Sequence, residues 1–219
     1  MATSERVGAA VGVHLVGGLK AADAETAMRT TARILGRHVR ALPDGETGER
    51  SQWIWWQMGK LTAVDGIEMA GTHAFPDSDN PDYAEFPALA VDASVTALPP
   101  CSLGYADAAE SSYAIFRRLR DQGAVPEGVR FQASIPTPCA AVVAWVRDED
   151  QERFLPIYGE AIANEVAEIA RVIPADDLAI QYDVAVEIGV LTGNFAAAGE
   201  LRREALRSRR AARRLGQHA

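Results

Sequence analysis

The chain has 219 residues, of which 48% are hydrophobic and 24% charged, which suits one domain or a little more and excludes a disordered polyelectrolyte. Its two cysteines exclude a disulfide framework, and its apolar runs stay short of the roughly 20 residues that span a bilayer. The formal charge of −8 is uneven: residues 201–219 hold seven arginines and one glutamate, leaving 15 basic and 29 acidic side chains elsewhere, so the body should repel nucleic acid and any polyanion binding falls to the tail.

The opening MATSERVGAAVGVHLVGG makes a poor signal peptide, because its apolar run is short, broken by glycine and interrupted by His14. Residues 11–16 read instead as a buried first strand closed by Gly17-Gly18, and a cytoplasmic location is expected. Asp23 can cap a helix whose apolar face is Ala24, Ala27, Met28, Thr31 and Leu35, with Gly36 at its end. Residues 38–42 read as a second strand. It runs into Pro43-Asp44-Gly45-Glu46-Thr47-Gly48, and a short helix over 52–60 follows. A third strand is expected over 67–70. Residues 75–100, rich in Pro and Asp, read as an irregular excursion of the kind that is usually functional or mobile. A short extended piece over 102–105 precedes a helix over 107–122 with Ala109, Tyr113, Phe116 and Leu119 inward. The next strand is 129–135, a long helix runs from about Pro156 to Ile173, and 178–182 is a further strand ending at Asp183. Strands alternating with helices predict a mostly parallel sheet with right-handed crossovers, either a barrel or a doubly wound sheet.

The polar residues at strand ends are the candidate site. Asp183, Asp44 and Glu46 are the catalytic candidates. A carboxylate at a strand end can orient an amine or act as a general base, and two acids as close as Asp44 and Glu46 can share a proton or hold a cation. The plainer readings are a helix cap for Asp183 and an Asp-Gly turn for Asp44; Glu187 one turn on is a weaker candidate. The substrate-binding candidates are His14, Arg50, Trp53, His73, Gln132 and Gln181. Arg50 could bind a carboxylate or phosphate through two bonds or pair with Glu46 or Glu49. Trp53, Trp55 and Trp56 could wall a flat substrate or pack beneath the loop. His14 and His73 could contact substrate or be satisfied core residues, and Gln132 and Gln181 could read a substrate or tie strands together. Gly17-Gly18 lacks the pattern of a phosphate-binding loop.

Three parts of the chain together resemble a known family: HLVGG at 14–18, LPDGETGERSQWI at 42–54, and FQASIPTP at 131–138 with LAIQYDVAVE at 178–187. They are similar to a methionine synthase-like branch of the superfamily containing cobalamin-independent methionine synthase and uroporphyrinogen decarboxylase. The resemblance implies an α/β fold, a (β/α)8 TIM-type barrel present only in part over residues 1–194, with about five or six of its strands and an Arg-rich tail over 195–219. The site should then lie at the carboxyl ends of the strands. The implied activity is methyl or one-carbon transfer on a small polar molecule. The rival is a non-catalytic remnant or binding subunit that self-associates or needs a complementary chain. The Gln181-Tyr182-Asp183 stretch resembles a family strand ending Asp-Glu-Pro, but here Val184-Ala185 replaces Glu-Pro. The family's zinc would want a His/Cys/Glu/Cys set. The chain has no His-x-Cys pair, so no metal ligand is assigned, the cofactor is unknown, and neither a membrane nor a nucleic-acid partner is expected.

Overall fold

The computed structural model describes residues 12–73 and 86–192. Helix α1 (Ala24–Leu35) starts where the Asp23 carboxylate accepts the Thr26 N–H at 2.7 Å, and it buries Ala27, Met28, Thr31 and Ala32. Gly36, at φ 51, ends it in a conformation that costs a side-chain-bearing residue free energy. Strand β1 (Ala41–Pro43) is short, because Pro43 has no N–H to continue the ladder. The DGETGER loop then leads through a 3₁₀ turn into α2 (Trp53–Thr62).

Two strands follow, β2 (Ile67–His73) and β3 (Phe86–Val91). They pair antiparallel, Ile67 with Val91 and His73 with Phe86, with an irregularity between Met69 and Thr72. The later part of the chain is α3 (Tyr105–Asp121), β4 (Arg130–Pro136), α4 (Pro138–Trp145), α5 (Asp148–Val172), β5 (Leu178–Asp183) and α6 (Val186–Thr192). Strands β1, β4 and β5 form a parallel sheet in that order, and Val13 makes a single parallel bridge to Val39 on the far side of β1. The parallel segments therefore lie side by side in chain order. Helices α1, α3 and α5, which connect them, also pack against one another in sequence.

The expected α/β class with a parallel sheet holds, and several finer expectations need correction. Among the described residues there are five strands but no closed barrel, since two of the five form a separate antiparallel pair. Of the expected strand at 11–16, the described part is one bridge, because Gly17-Gly18 and the bonds given below draw the chain off the sheet edge. The expected irregular excursion at 75–100 contains β3, whose apolar run Phe86–Val91 needs only the β2 edge to pair. Residues 102–105 form a turn entering α3 rather than an extended piece. Helix α5 begins at Asp148, well before Pro156, and its first turn carries Asp148, Glu149 and Asp150, where carboxylates favour the helix dipole. The Arg-rich tail lies outside the described residues.

The core sits between the parallel sheet and its helices. Phe131 of β4 packs on Tyr113 and Phe116 of α3, with ring centroids 5.9 and 5.8 Å away. Leu42, Ala133 and Ile135 share this buried face. The period-2 alternation of a strand sends Gln132 and Ser134 to the other face, where register sets them beside Pro43 and Gln181, with Asp183 beyond beside Pro136. One face of this sheet is thus apolar and the other polar, whereas a doubly covered parallel sheet reads as apolar on both. The β2–β3 pair docks at the α4–α5 junction through a Leu89–Val146 bridge and through Asp150, which accepts the Val91 N–H at 3.1 Å.

Candidate functional site

Asp44 leaves β1 buried, with only 5% of its surface exposed. It is satisfied from three directions: Arg50 Nη1 donates at 2.5 Å, Ser112 Oγ at 2.6 Å, and the Glu46 N–H closes an Asp-type turn at 3.0 Å. Arg50 also lies over the Trp56 ring at 5.9 Å. The cavity behind this loop, lined by Asp44, Arg50, Tyr105, Gln132 and Ser134, has a volume of about 10 Å³, room for about one water molecule. The Asp44–Arg50 pair therefore braces the loop from beneath, and a substrate would have to meet the loop from its open side.

Glu46 is on that open side. Its backbone is left-handed, φ 49, a region that costs a side-chain-bearing residue roughly 1 kcal/mol or more. The strained turn aims its carboxyl at the Gly17-Gly18 backbone. A methyl group on Gly18 would fall 3.2 Å from Glu46 Oε2, and one on Gly17 would fall 3.0 Å from Ser134 Oγ and 3.4 Å from Glu46 Oε2. The two glycines are what let the chain lie this close. Burial pushes the Glu46 carboxyl up to about 7 against the opposing pull of Arg50, and the negative charges of Asp183 and Asp44 push the same way. At neutral pH Glu46 can therefore both give and take a proton.

Asp183 ends β5, half-buried. Burial raises its pKa, opposed by the Gln181 hydrogen bond and by the charge of His14. Gln181 Nε2 donates to Asp183 Oδ1 at 2.7 Å and to the Val16 carbonyl at 2.6 Å. Gln132 Nε2 donates to the Leu15 carbonyl at 2.8 Å and to Gln181 Oε1 at 3.1 Å. The two amides thus strap residues 15–18 across the polar face of the sheet. Leu19 N–H, bonded to the Gly45 carbonyl at 2.9 Å, fastens the far end of the strap to the loop.

Of the sequence-chosen residues, His14, Asp44, Glu46, Arg50, Gln132, Gln181 and Asp183 come together from four separate stretches of chain. His73 ends β2 in the antiparallel pair, apart from the parallel sheet. Trp53 packs on buried Trp145, centroids 5.2 Å apart, and Trp56 meets Tyr105 edge-on at 5.2 Å, while Trp55 is exposed. Two participants were missed by sequence reasoning. Ser134 reads in the sequence as one more residue of a strand, although the i, i+2 spacing from Gln132 puts it on the same face. Gly17-Gly18 reads in the sequence as the end of a strand without a phosphate-loop pattern, while its use here is close approach to a carboxylate. Cys139 is buried in α4 and Cys101 sits in the turn before α3. Among the described residues no three His, Cys, Asp or Glu side chains gather to hold a metal ion. No helix among these residues is long and apolar enough to cross a membrane. Compared with protein-family models, curated proteins and solved structures, the chain matches none.

Proposed function

We propose that this chain forms the amino-terminal half of a methionine synthase-like (β/α)8 barrel and that the rim of its polar face binds a small polar molecule, with Glu46 moving a proton near neutral pH. The observation that carries this reading is the approach of Glu46 and Asp183 at the carboxyl ends of β1 and β5, the two strands that flank β4, both with raised pKa values. Perturbed carboxyls in such a place are characteristic of functional sites. The parallel segments follow chain order once the separate antiparallel pair is set aside, and their helices pack in the same order, which supports a barrel over a doubly wound sheet, in which the strand order reverses. The polar inner face fits a barrel mouth rather than a sheet covered on both sides.

Gln181 holds Asp183 in place and would leave its second oxygen for a substrate nitrogen. Glu46, its carboxyl pushed up to about 7 by burial, would donate to a leaving group or accept from a nucleophile. The resemblance makes methyl or one-carbon transfer the reaction class to test, and no step through a metal is derived. The test is a thermal-shift screen of folates, thiols, porphyrins and small amines on the full chain. A ligand that stabilises the wild type and is lost in both Glu46→Gln and Asp183→Asn is the expected result. A ligand that binds both variants as tightly as the wild type would place the site elsewhere. The second reading, a binding subunit completed by another chain, is favoured by the open margins of the parallel sheet.

A further inference from the structure

The parallel sheet has two margins, and they are complementary to each other. At one margin, among the described residues, β5 has a neighbour on one side only. Its residues are only partly covered, and Tyr182 is 40% exposed, whereas β4 beside it is buried from Phe131 to Pro136. At the other margin the segment around Val13 bridges Val39 and has no strand beyond it among the described residues. Val13 is exposed there, as is Ile34, which continues the Ala27–Thr31 stripe of α1 by helical spacing. Of the large apolar side chains exposed among the described residues, Val13, Ile34 and Tyr182 lie on or beside these two margins.

The charges at the feet of the margins are opposite. The register pairs Val13 with Val39, Ala41 with Arg130 and Phe131 with Leu178, so the strands begin nearly level. Just below that level, exposed Arg37 and His38 stand at the amino margin and exposed Asp176 at the β5 margin. Four parallel segments in chain order are half of an eight-stranded closed arrangement. A twofold axis brings each margin of one copy against the opposite margin of the other.

We propose that two copies of this chain associate about a twofold axis, β5 of each pairing in parallel with the segment around Val13 of the other, and so close the sheet around its polar face. The proposal rests on the half-barrel reading given above and names the partner that reading calls for, a second copy. Closure removes both open edges, covers the exposed apolar residues and sets Arg37 of one copy near Asp176 of the other. It also turns the Glu46–Asp183 rim from a shallow surface into part of an enclosed mouth.

Sedimentation velocity of the full chain at micromolar concentration tests this. The wild type and Met69→Lys, a charge placed away from both margins, should sediment as dimers. Tyr182→Lys should weaken association by at least about tenfold. Asp176→Arg and Arg37→Asp should each weaken it, and the double variant carrying both should recover. Circular dichroism checks that each variant is folded, and Val13→Lys replaces Tyr182→Lys if the latter is not. A monomeric wild type, a margin variant as dimeric as Met69→Lys, or a double variant that fails to recover would overturn the proposal. Ligand binding lost in Glu46→Gln is read separately, on a variant with both margins intact, so failure of the dimer and failure of the site are distinguishable.

Discussion

Glu46 holds a proton in the native state that it would release in the unfolded chain. Its carboxyl stands at about 7 when folded against an ordinary 4.5, so between those values the native state binds more protons and stability falls as pH rises. The partial exposure of the group limits the loss to about 2 kcal/mol. Urea midpoints measured across this window should decline in the wild type and flatten in Glu46→Gln; equal slopes would mean the carboxyl is not held as described. Asp177 behaves oppositely. The Arg120 guanidinium, bonded to both its oxygens, and the Tyr113 hydroxyl at 2.6 Å bring it down to about 2 from 3.8. Its contribution is present above pH 4 and lost as pH falls toward 2, and Asp177→Asn should cost about 1–2 kcal/mol at neutral pH with the acid limb of the stability curve flattened. The acids of the DGETGER loop stood out in the sequence because a plain turn needs only one of them. Which of them is satisfied and which is frustrated was not legible. Asp44 is answered by Ser112, 68 residues on, and Glu46 is pressed by Gly17-Gly18, and no local pattern announces either contact.

Helices with a polar side were legible because periodicity reveals them, and α1 and α3 fall close to their expected bounds. Helix α4 was not, since PCAAVVAW is buried on all sides and has no stripe to read. The start of α5 was missed for a related reason: Pro156 looked like a first-turn proline, yet it sits exposed inside the helix. An interior proline forfeits one hydrogen bond and crowds the preceding turn, so Pro156→Ala should raise stability. The gain should stay near 1 kcal/mol, because alanine also frees the unfolded chain. An unchanged or lowered denaturation midpoint would show that the helix needs a bend there. The entry to α3 depends on Glu165 of α5. That carboxylate is fully buried and accepts three backbone N–H groups, from Leu103 and Gly104 at 2.9 Å and from Ala106 at 2.6 Å. It serves α3 as an N-terminal cap supplied from another helix. Glu165→Gln turns an acceptor into a partial donor facing those groups and should cost roughly 2–4 kcal/mol, read from chemical denaturation. A cost below about 0.5 kcal/mol would mean α3 starts without it.

At the scale of the molecule the strand order, not the strand count, carries the functional argument, and the sequence revealed alternation without revealing order. Pairing is a long-range choice: β1 skips both strands of the antiparallel pair to join β4, and nothing within residues 41–43 specifies a neighbour so far along the chain. The order also sets a gradient of local stability. Strand β4 is flanked on both sides and buried, so its amides should open only with global unfolding. Among the described residues strand β5 has one neighbour, and residues 12–18 are held by one bridge and by the side chains of Gln132 and Gln181. Hydrogen exchange should therefore be slowest in β4, intermediate in β5 and fastest in the strap. Replacing both glutamines by alanine removes the bonds to the Leu15 and Val16 carbonyls. The strap amides from Leu15 to Gly18 should then exchange faster by at least about tenfold, a local opening made easier by roughly 1.4 kcal/mol, with the β4 amides changed only as far as global stability changes. Uniform acceleration across β4, β5 and the strap would instead mean that the strap is part of the cooperative core. In that case the polar face beneath it would not be a surface that a ligand can reach.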